Sequence, residues 1–254
     1  MGFKGRCAVV TGAGGEHGIG RAAVLALAEK GCNVVATDLD LEGAQQTAAA
    51  AEALGVQALA VRMDVSDETS VREGMQKVLD TFGRIDILVN NAGISGHISL
   101  QDMTAEQFWK VMHVNVGGTF LCTKAVMGQM KAQKYGRIIN LSSVGAKQGY
   151  SFGGPHYITS KAAILGLTKS TALELVPYGI TANAVTPGMI ATDIRTRNGL
   201  SPEAEEVMRQ CANQPMKRAG TPEEVAAAIV FLASEEASFI TAEDIDINGG
   251  AYVD

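Results

Sequence analysis

A phenol and an ammonium stand four residues apart in the run Tyr157-Ile158-Thr159-Ser160-Lys161. On a helix, residues four apart share a face. A nearby ammonium stabilises a phenolate and draws a tyrosine from a pKa of about 10 toward neutrality. Tyr157 is then a proton shuttle for an alcohol or carbonyl oxygen. The same spacing also arises by chance in any helix, so its surroundings decide. Fourteen residues before Tyr157, Asn140-Leu141-Ser142-Ser143-Val144 closes an apolar run. A serine at the carboxyl end of a strand lies on the ligand-binding edge of an open α/β sheet. The Ser143 hydroxyl there could hold a substrate oxygen beside the phenol and steady its developing negative charge. An ordinary strand-end Ser-Ser turn has the same sequence.

A second feature lies near the start. Between Thr11 and Gly20, five glycines (Gly12, Gly14, Gly15, Gly18, Gly20) fall in ten residues behind an apolar run. Backbone N–H groups at a helix start point outward, and the helix dipole favours an anion. Glycine permits positive φ and close approach of a pyrophosphate. Loops favour glycine anyway, so the turn alone is a weak signal. The next apolar run ends in Asp38, eighteen residues past Gly20. An acid there accepts hydrogen bonds from both ribose hydroxyls of an adenosine and repels a 2′-phosphate. Leu39 and Asp40 follow rather than a basic residue, and the turn offers Glu16. The pattern favours NAD over NADP. The competing expectation is that Asp38 merely caps the next helix.

The elements that must position these groups alternate along the chain. Candidate strands lie at 7–10, 33–37, 57–62, 85–90, 137–141, 181–186 and 244–248, and most are continuous apolar runs, as parallel strands covered on both faces should be. Helical patterns fill 19–30, 41–54, 68–82, 105–132, 157–176, 202–212 and 222–234. The last opens with Thr221 as N-cap, Pro222 at the first helical position and Glu224 at N3. Repeated β–α units imply a doubly wound parallel sheet with helices on both faces. No linker, low-complexity tract or repeat divides the chain, so 1–254 reads as a single domain. The longest irregular stretch, 188–200, follows a strand end, and a substrate lid is expected around 188–215.

Composition excludes several classes. With 46% hydrophobic residues in 254, the chain can bury a real core. The net charge is −6 and no basic run stands out, which argues against nucleic acid. No apolar stretch reaches membrane-spanning length, and the N-terminus does not read as a secretory signal. Cys7, Cys32, Cys122 and Cys211 are far apart, as expected of buried thiols in a reducing cytoplasm. His17, His97, His113 and His156 show no metal-ligand spacing, so no metal is expected.

Taken together, Asn90-Asn91-Ala92-Gly93, Val114-Asn115-Val116-x-Gly118, Leu141-Ser142-Ser143, Tyr157-x-x-x-Lys161 and Pro187-Gly188 resemble the short-chain dehydrogenase/reductase family. The resemblance runs from Arg6 to Tyr252 and keeps the family's motif order. It implies a Rossmann-type sheet of seven parallel strands in the order 3-2-1-4-5-6-7, a nicotinamide cofactor and commonly a homotetramer. By position, Tyr157 would be the acid/base and Lys161 would lower its pKa and hold the nicotinamide ribose. Ser143 would orient the substrate oxygen, and Asn115 would support a water relaying protons to Lys161. Gly12, Gly14, His17, Gly18 and Ile19 would form the phosphate turn. Asp38 and Leu39 would meet the adenosine ribose, and Asp64 and Val65 the adenine. Asn91, Ala92 and Gly93 would line the adenosine side. Pro187, Gly188 and Thr192 would flank the nicotinamide, with Ile190 against the ring.

Two departures from the family pattern stand out. Five residues rather than three separate Gly12 from Gly18: either the turn carries an insertion, or Gly14 takes the first glycine's role. Ser143 and Tyr157 are one residue further apart than is common, which a loop at 145–156 can absorb. The substrate wall is expected to comprise Ser95, His97, Ser143, Val144, Tyr150, Phe152, His156 and Met189. It is mostly apolar or aromatic, pointing to a secondary alcohol or ketone handled by reversible, NAD-dependent hydride transfer. The alternative enzyme is a 3-oxoacyl-carrier-protein reductase, against which Asp38 argues because such enzymes usually take NADPH. Outside enzymes, the alternative is a catalytically silent NAD-binding sensor or scaffold. The intact Asn115, Ser143, Tyr157 and Lys161 argue against that.

Overall fold

The computed structural model describes residues 2–149, 153–192 and 214–253. The expected Tyr150 and Phe152, the helix at 202–212 and most of the expected lid lie outside them. Seven parallel strands form one sheet in the order β3-β2-β1-β4-β5-β6-β7. They are β1 Cys7–Thr11, β2 Asn33–Asp38, β3 Ala58–Arg62, β4 Ile87–Asn90, β5 Gly136–Leu141, β6 Ile180–Pro187 and β7 Asp244–Ile247.

Strand residues alternate between two apolar layers because side chains alternate across a strand. Ala8, Val10, Val34, Ala36, Ile87, Val89 and Ile139 face one layer, completed by α1 (Ile19–Glu29), α2 (Leu41–Glu52) and α8 (Pro222–Ala233). Cys7, Val9, Val35, Leu88 and Ile138 face the other, against α3 (Glu68–Phe82), α5 (Gly118–Gln133) and α7 (Gly154–Leu175). This two-sided burial is why the strands read as unbroken apolar runs. Each fully buried Val, Leu or Ile contributes roughly 1.5–3 kcal/mol. The three described cysteines are buried and unpaired, and burial pushes the Cys7 and Cys122 thiols up to about 12.

The helix expected over 105–132 is not continuous. Regular helix α4 (Ala105–Met112) runs into a π turn at His113–Gly117 before α5 begins. There the Gly118 N–H reaches back to His113 O. The last helix starts as its sequence indicates. Thr221 and Glu224 form a reciprocal capping box, with Pro222 in the first turn.

At the amino end of the sheet, Asp86 is fully buried and neutralised from three sides. It accepts from the Cys7 N–H at 2.9 Å, from Arg84 at 2.7 Å and from Arg6 at 3.2 Å. Among the described residues, no helix is long and apolar enough to cross a membrane, and no cluster of His, Cys, Asp and Glu could hold a metal.

Candidate active site

The strand order reverses beside β1, and β4 pairs on its other side. A cleft of about 870 Å³ opens there, the crevice where open α/β sheets bind ligands. The turn after β1 forms its floor. Gly12 takes a positive φ of 67° and lies against Ala92, where a Cβ would stand 2.7 Å from the Ala92 Cα. Asn91 braces this turn, its Nδ2 donating to both Thr11 O and Gly12 O at 2.9 Å. A Cβ on Gly20 would collide with Gly12 O, so the first turn of α1 packs directly on the strand end.

The enlarged turn resolves into two parts. After β1 the chain continues along β2, with Ala13 N donating to Thr37 O at 3.0 Å and Gly14 N to Asp38 Oδ2 at 2.8 Å. A separate turn, closed by Gly18 N to Gly15 O at 3.2 Å, then carries the extra residues. Glu16 and His17 sit at its tip, exposed, and neither lines the cleft. His17, expected from the resemblance in the phosphate turn, thus stands outside the described lining of the cleft. Gly15, which the resemblance did not assign to the cofactor, lines the cleft with Gly18 and Ile19. Gly14 is outside that lining and bonds to Asp38, which is part of it.

Asp38 is not the cap of α2. Asp40 holds that position, accepting from Gly43 N at 3.2 Å. Asp38 faces the cleft with Leu39, and Asp64, Val65, Asn91, Ala92 and Gly93 line it as expected, with Thr192 at its rim. Not expected from the sequence is a wall contributed by α4 and the π turn: Glu106, Trp109, Lys110 and His113, with the Trp109 and His113 rings stacked at 6.4 Å. Their spacing of three and four residues, on one helical face, was the available signal.

The reacting groups gather beyond Gly93. A Cβ there would lie 3.2 Å from Asn115 Oδ1 and 3.6 Å from Lys161 Nζ. Asn115 is buried in the π turn; its Oδ1 accepts from Ile94 N at 2.8 Å, and its Nδ2 donates to Ile94 O and Ser160 Oγ at 2.9 Å. Its carboxamide thus fixes the loop after β4 against α7. Ser143 Oγ accepts from the Gly145 N–H at 3.1 Å, which leaves its hydrogen for the Tyr157 oxygen. Burial pushes the Tyr157 phenol up, and the Ser143 hydrogen bond opposes it. Lys161 was expected to pull that phenol down, but its ammonium donates to Leu141 O at 2.6 Å. Burial in turn drops Lys161 to about 8. In this state desolvation outweighs the Ser143 hydrogen bond at Tyr157.

Two glycines of the 145–156 segment shape this corner. A Cβ on Gly153 would run into the Tyr157 ring. Gly154 opens α7 with φ of 73°, and a Cβ there would meet Gly96 O at 2.9 Å. Helix α7 thus begins at Gly154, before Tyr157, and the loop expected at 145–156 contains a helical turn, α6 (Gly145–Gln148). His156, expected on the substrate wall, is buried at 3% exposure, and its Nδ1 accepts from the Tyr157 N–H at 2.8 Å. Burial lowers its pKa, consistent with a neutral ring held as a packing element. His97 is exposed, while Ser95, Val144 and Met189 are partly buried. Pro187 and Gly188 join the site by backbone bonds, Val144 N to Pro187 O at 3.0 Å and Gly188 N to Ile247 O at 2.9 Å. Ile190 packs its side chain toward Gly220 and the core.

A doubly wound parallel sheet, a glycine turn at its switch point and a Ser-Tyr-Lys set at one edge define an oxidoreductase of the short-chain dehydrogenase/reductase family, to which this chain belongs. The family model described as "Enoyl-(Acyl carrier protein) reductase" matches residues 12–252. An uncharacterized oxidoreductase of Thermotoga maritima is 40% identical over 99% of both chains. The 3-oxoacyl-[acyl-carrier-protein] reductase FabG of Escherichia coli is 38% identical over 100% of both. The crystal structure of an NAD+-bound xylitol dehydrogenase superposes with a TM-score of 0.89 at 34% identity, covering 98% of this chain and 99% of that one.

Proposed function

We propose that the protein is an NAD(H)-dependent oxidoreductase that interconverts a small or medium, largely apolar secondary alcohol and its ketone. The observation that carries this reading is the joint placement of Ser143, Tyr157 and Lys161 beyond a cleft whose floor presents Asp38. The residues present fit a dinucleotide. The cleft offers the α1 N-terminus for phosphates and a carboxylate at the far end for ribose hydroxyls. Lys110 is the only Lys or Arg among its described lining residues, which supports NAD over NADP. When bound, the nicotinamide supplies the hydride chemistry. The chain's own residues manage the proton and the oxygen. Tyr157 takes the hydroxyl proton in oxidation and returns it in reduction. Ser143 donates to the substrate oxygen. Lys161 holds the nicotinamide ribose and, with its ammonium released from Leu141 O, stabilises the phenolate. Asn115 fixes the loop that carries Gly93 and supports the water beside Lys161. We place this activity in the cytoplasm, consistent with the buried unpaired thiols, and in a homotetramer as is common in the family.

A second reading, reduction of 3-oxoacyl thioesters, is favoured by the full-length similarity to the Escherichia coli reductase. An NADH-fluorescence screen tests both. The protein is offered secondary alcohols, ketones and a 3-oxoacyl thioester, each with NAD(H) and NADP(H). Turnover of alcohols and ketones with NAD(H) supports the proposal. Turnover confined to the thioester favours the second reading, and binding of NADH without any turnover favours a silent sensor.

A further inference from the structure

Helix α6 is four residues long, and Gly145 is its one buried residue. It has almost no apolar side chain with which to hold its place. Yet its first N–H, from Gly145, is the group that orients the Ser143 hydroxyl. What holds α6 is polar. The Lys147 ammonium lies 2.6 Å from Asp244 Oδ2 and 2.9 Å from Asp246 Oδ2, both on β7. The three side chains are 11%, 13% and 25% exposed. Asp246 is itself hydrogen-bonded to Thr186 Oγ1, the residue before Pro187. Gln148 Nε2 adds a bond to Ala251 O at 2.8 Å.

This network joins three pieces of backbone: the segment that carries Ser143, the end of β6 that leads to Pro187 and Gly188, and β7. Half-buried ion clusters of this kind add little net stability over apolar packing, but breaking one leaves a charge unpaired and lets the geometry drift. We propose that Lys147 is a positioning residue for Ser143. By pinning α6 to β7, it keeps the Gly145 N–H on Ser143 Oγ, so that the serine hydrogen is aimed into the site, at the Tyr157 oxygen in this structure and at the substrate oxygen once substrate is bound. This rests on the reading of Ser143 as donor to the substrate oxygen, and the test separates the two.

The experiment is a double-mutant cycle in the full-length protein, with kcat, the KM for NAD+ and the NADH dissociation constant measured for each variant. Lys147→Met is expected to lower kcat about tenfold, the scale of a misplaced catalytic contact, with NADH affinity within about twofold of the parent. Lys147→Arg, which restores the cation, is expected to recover kcat to within about threefold of the parent. In a Ser143→Ala background, Lys147→Met is expected to cost nothing further, because the group it positions is gone. Asp246→Asn removes one charge of the cluster, keeps the side-chain volume and is expected to lower kcat in the same direction. It carries the test should Lys147→Met not fold. The proposal is overturned if Lys147→Met keeps kcat within twofold of the parent. It is equally overturned if the loss is the same in the Ser143→Ala background, or if NADH affinity falls in step with kcat. Parental turnover in Ser143→Ala alone would instead remove the reading of Ser143, and the positioning role with it, whatever Lys147→Met does.

Discussion

The Lys161 ammonium donates to the Leu141 carbonyl oxygen at 2.6 Å, while it stands 5.6 Å from the centroid of the Tyr157 ring. The cation of the pair is therefore parked on the sheet edge, not on the phenol oxygen. Its proton is also weakly held, at about 8 against the ordinary 10.5. The unfolded chain keeps this proton up to 10.5, so stability rises with pH between 8 and 10.5, and below 8 the buried ammonium is a standing cost of roughly 3 kcal/mol. Lys161→Met is expected to raise the melting temperature at pH 7 by several degrees while removing turnover. If Lys161 holds the ribose as an ammonium, NADH affinity is constant below about pH 7.5 and falls by up to tenfold per pH unit above 8. Fluorescence titration across that range checks this, and Lys161→Met should give a flat profile.

Tyr157→Phe keeps the ring and deletes the exchangeable proton. Turnover is expected to fall by about 10²–10⁴, the usual contribution of a positioned acid/base. NADH affinity should stay within a few-fold of the parent. Stopped-flow and steady-state rates on any substrate from the screen decide it; surviving turnover would move the proton shuttle elsewhere.

Asp38 both faces the cleft and holds the Gly14 N–H. Asp38→Ala is expected to lower kcat/KM for NAD+ by at least about tenfold, the scale of one charge-assisted hydrogen bond, and to shift the NAD+/NADP+ ratio toward NADP+. Glu16→Arg, by contrast, should leave that ratio within about threefold, because the Gly15–Gly18 turn points Glu16 into solvent. A large gain in NADP+ use by Glu16→Arg would show that the turn folds inward when the cleft is filled.

Gly153→Ala places a methyl group against the Tyr157 ring. The backbone there has φ of −78°, so the penalty is steric and local, not conformational. An approximately tenfold loss of kcat with unchanged NADH binding is the expected outcome. Equal losses in both would place the damage in the fold of α7 instead.

Asp86 offers a control at the opposite end of the sheet. Asp86→Ala unpairs Arg84 and orphans the Cys7 N–H in a buried site, for an expected loss of about 3–5 kcal/mol. Denaturant unfolding measures this, and kcat per folded molecule should not change.

The strands were legible in the sequence because burial on both faces leaves only apolar residues to choose, as in Val34, Val35 and Ala36 of β2. Tyr157, Lys161, Ser143 and Asp38 were legible because chemistry restricts residue type at fixed offsets. The outward placement of Glu16 and His17 was not, since a turn and an inward bulge use the same glycines. Gly153 could not be singled out either: its importance lies in the ring it touches, not in its own conformation. Lys147, Asp244 and Asp246 meet only through tertiary structure, and a Lys beside solvent-facing neighbours reads as surface. His156 shows the converse, since a loop histidine next to a candidate proton shuttle suggests a substrate contact, while the fold buries its ring.

The π turn at His113–Gly117 fits one more residue into a turn than a regular helix allows. The faces of α4 and α5 are therefore out of phase by about 100° relative to an unbroken helix. One rod can then present Trp109 and Lys110 to the cleft at one end and Cys122, Val126 and Met130 to the core at the other. Deleting a single residue in this turn would leave both helices intact but rotate the cleft wall against the core. A length change there is thus a dial on the shape of the cleft that leaves every strand of the sheet where it is.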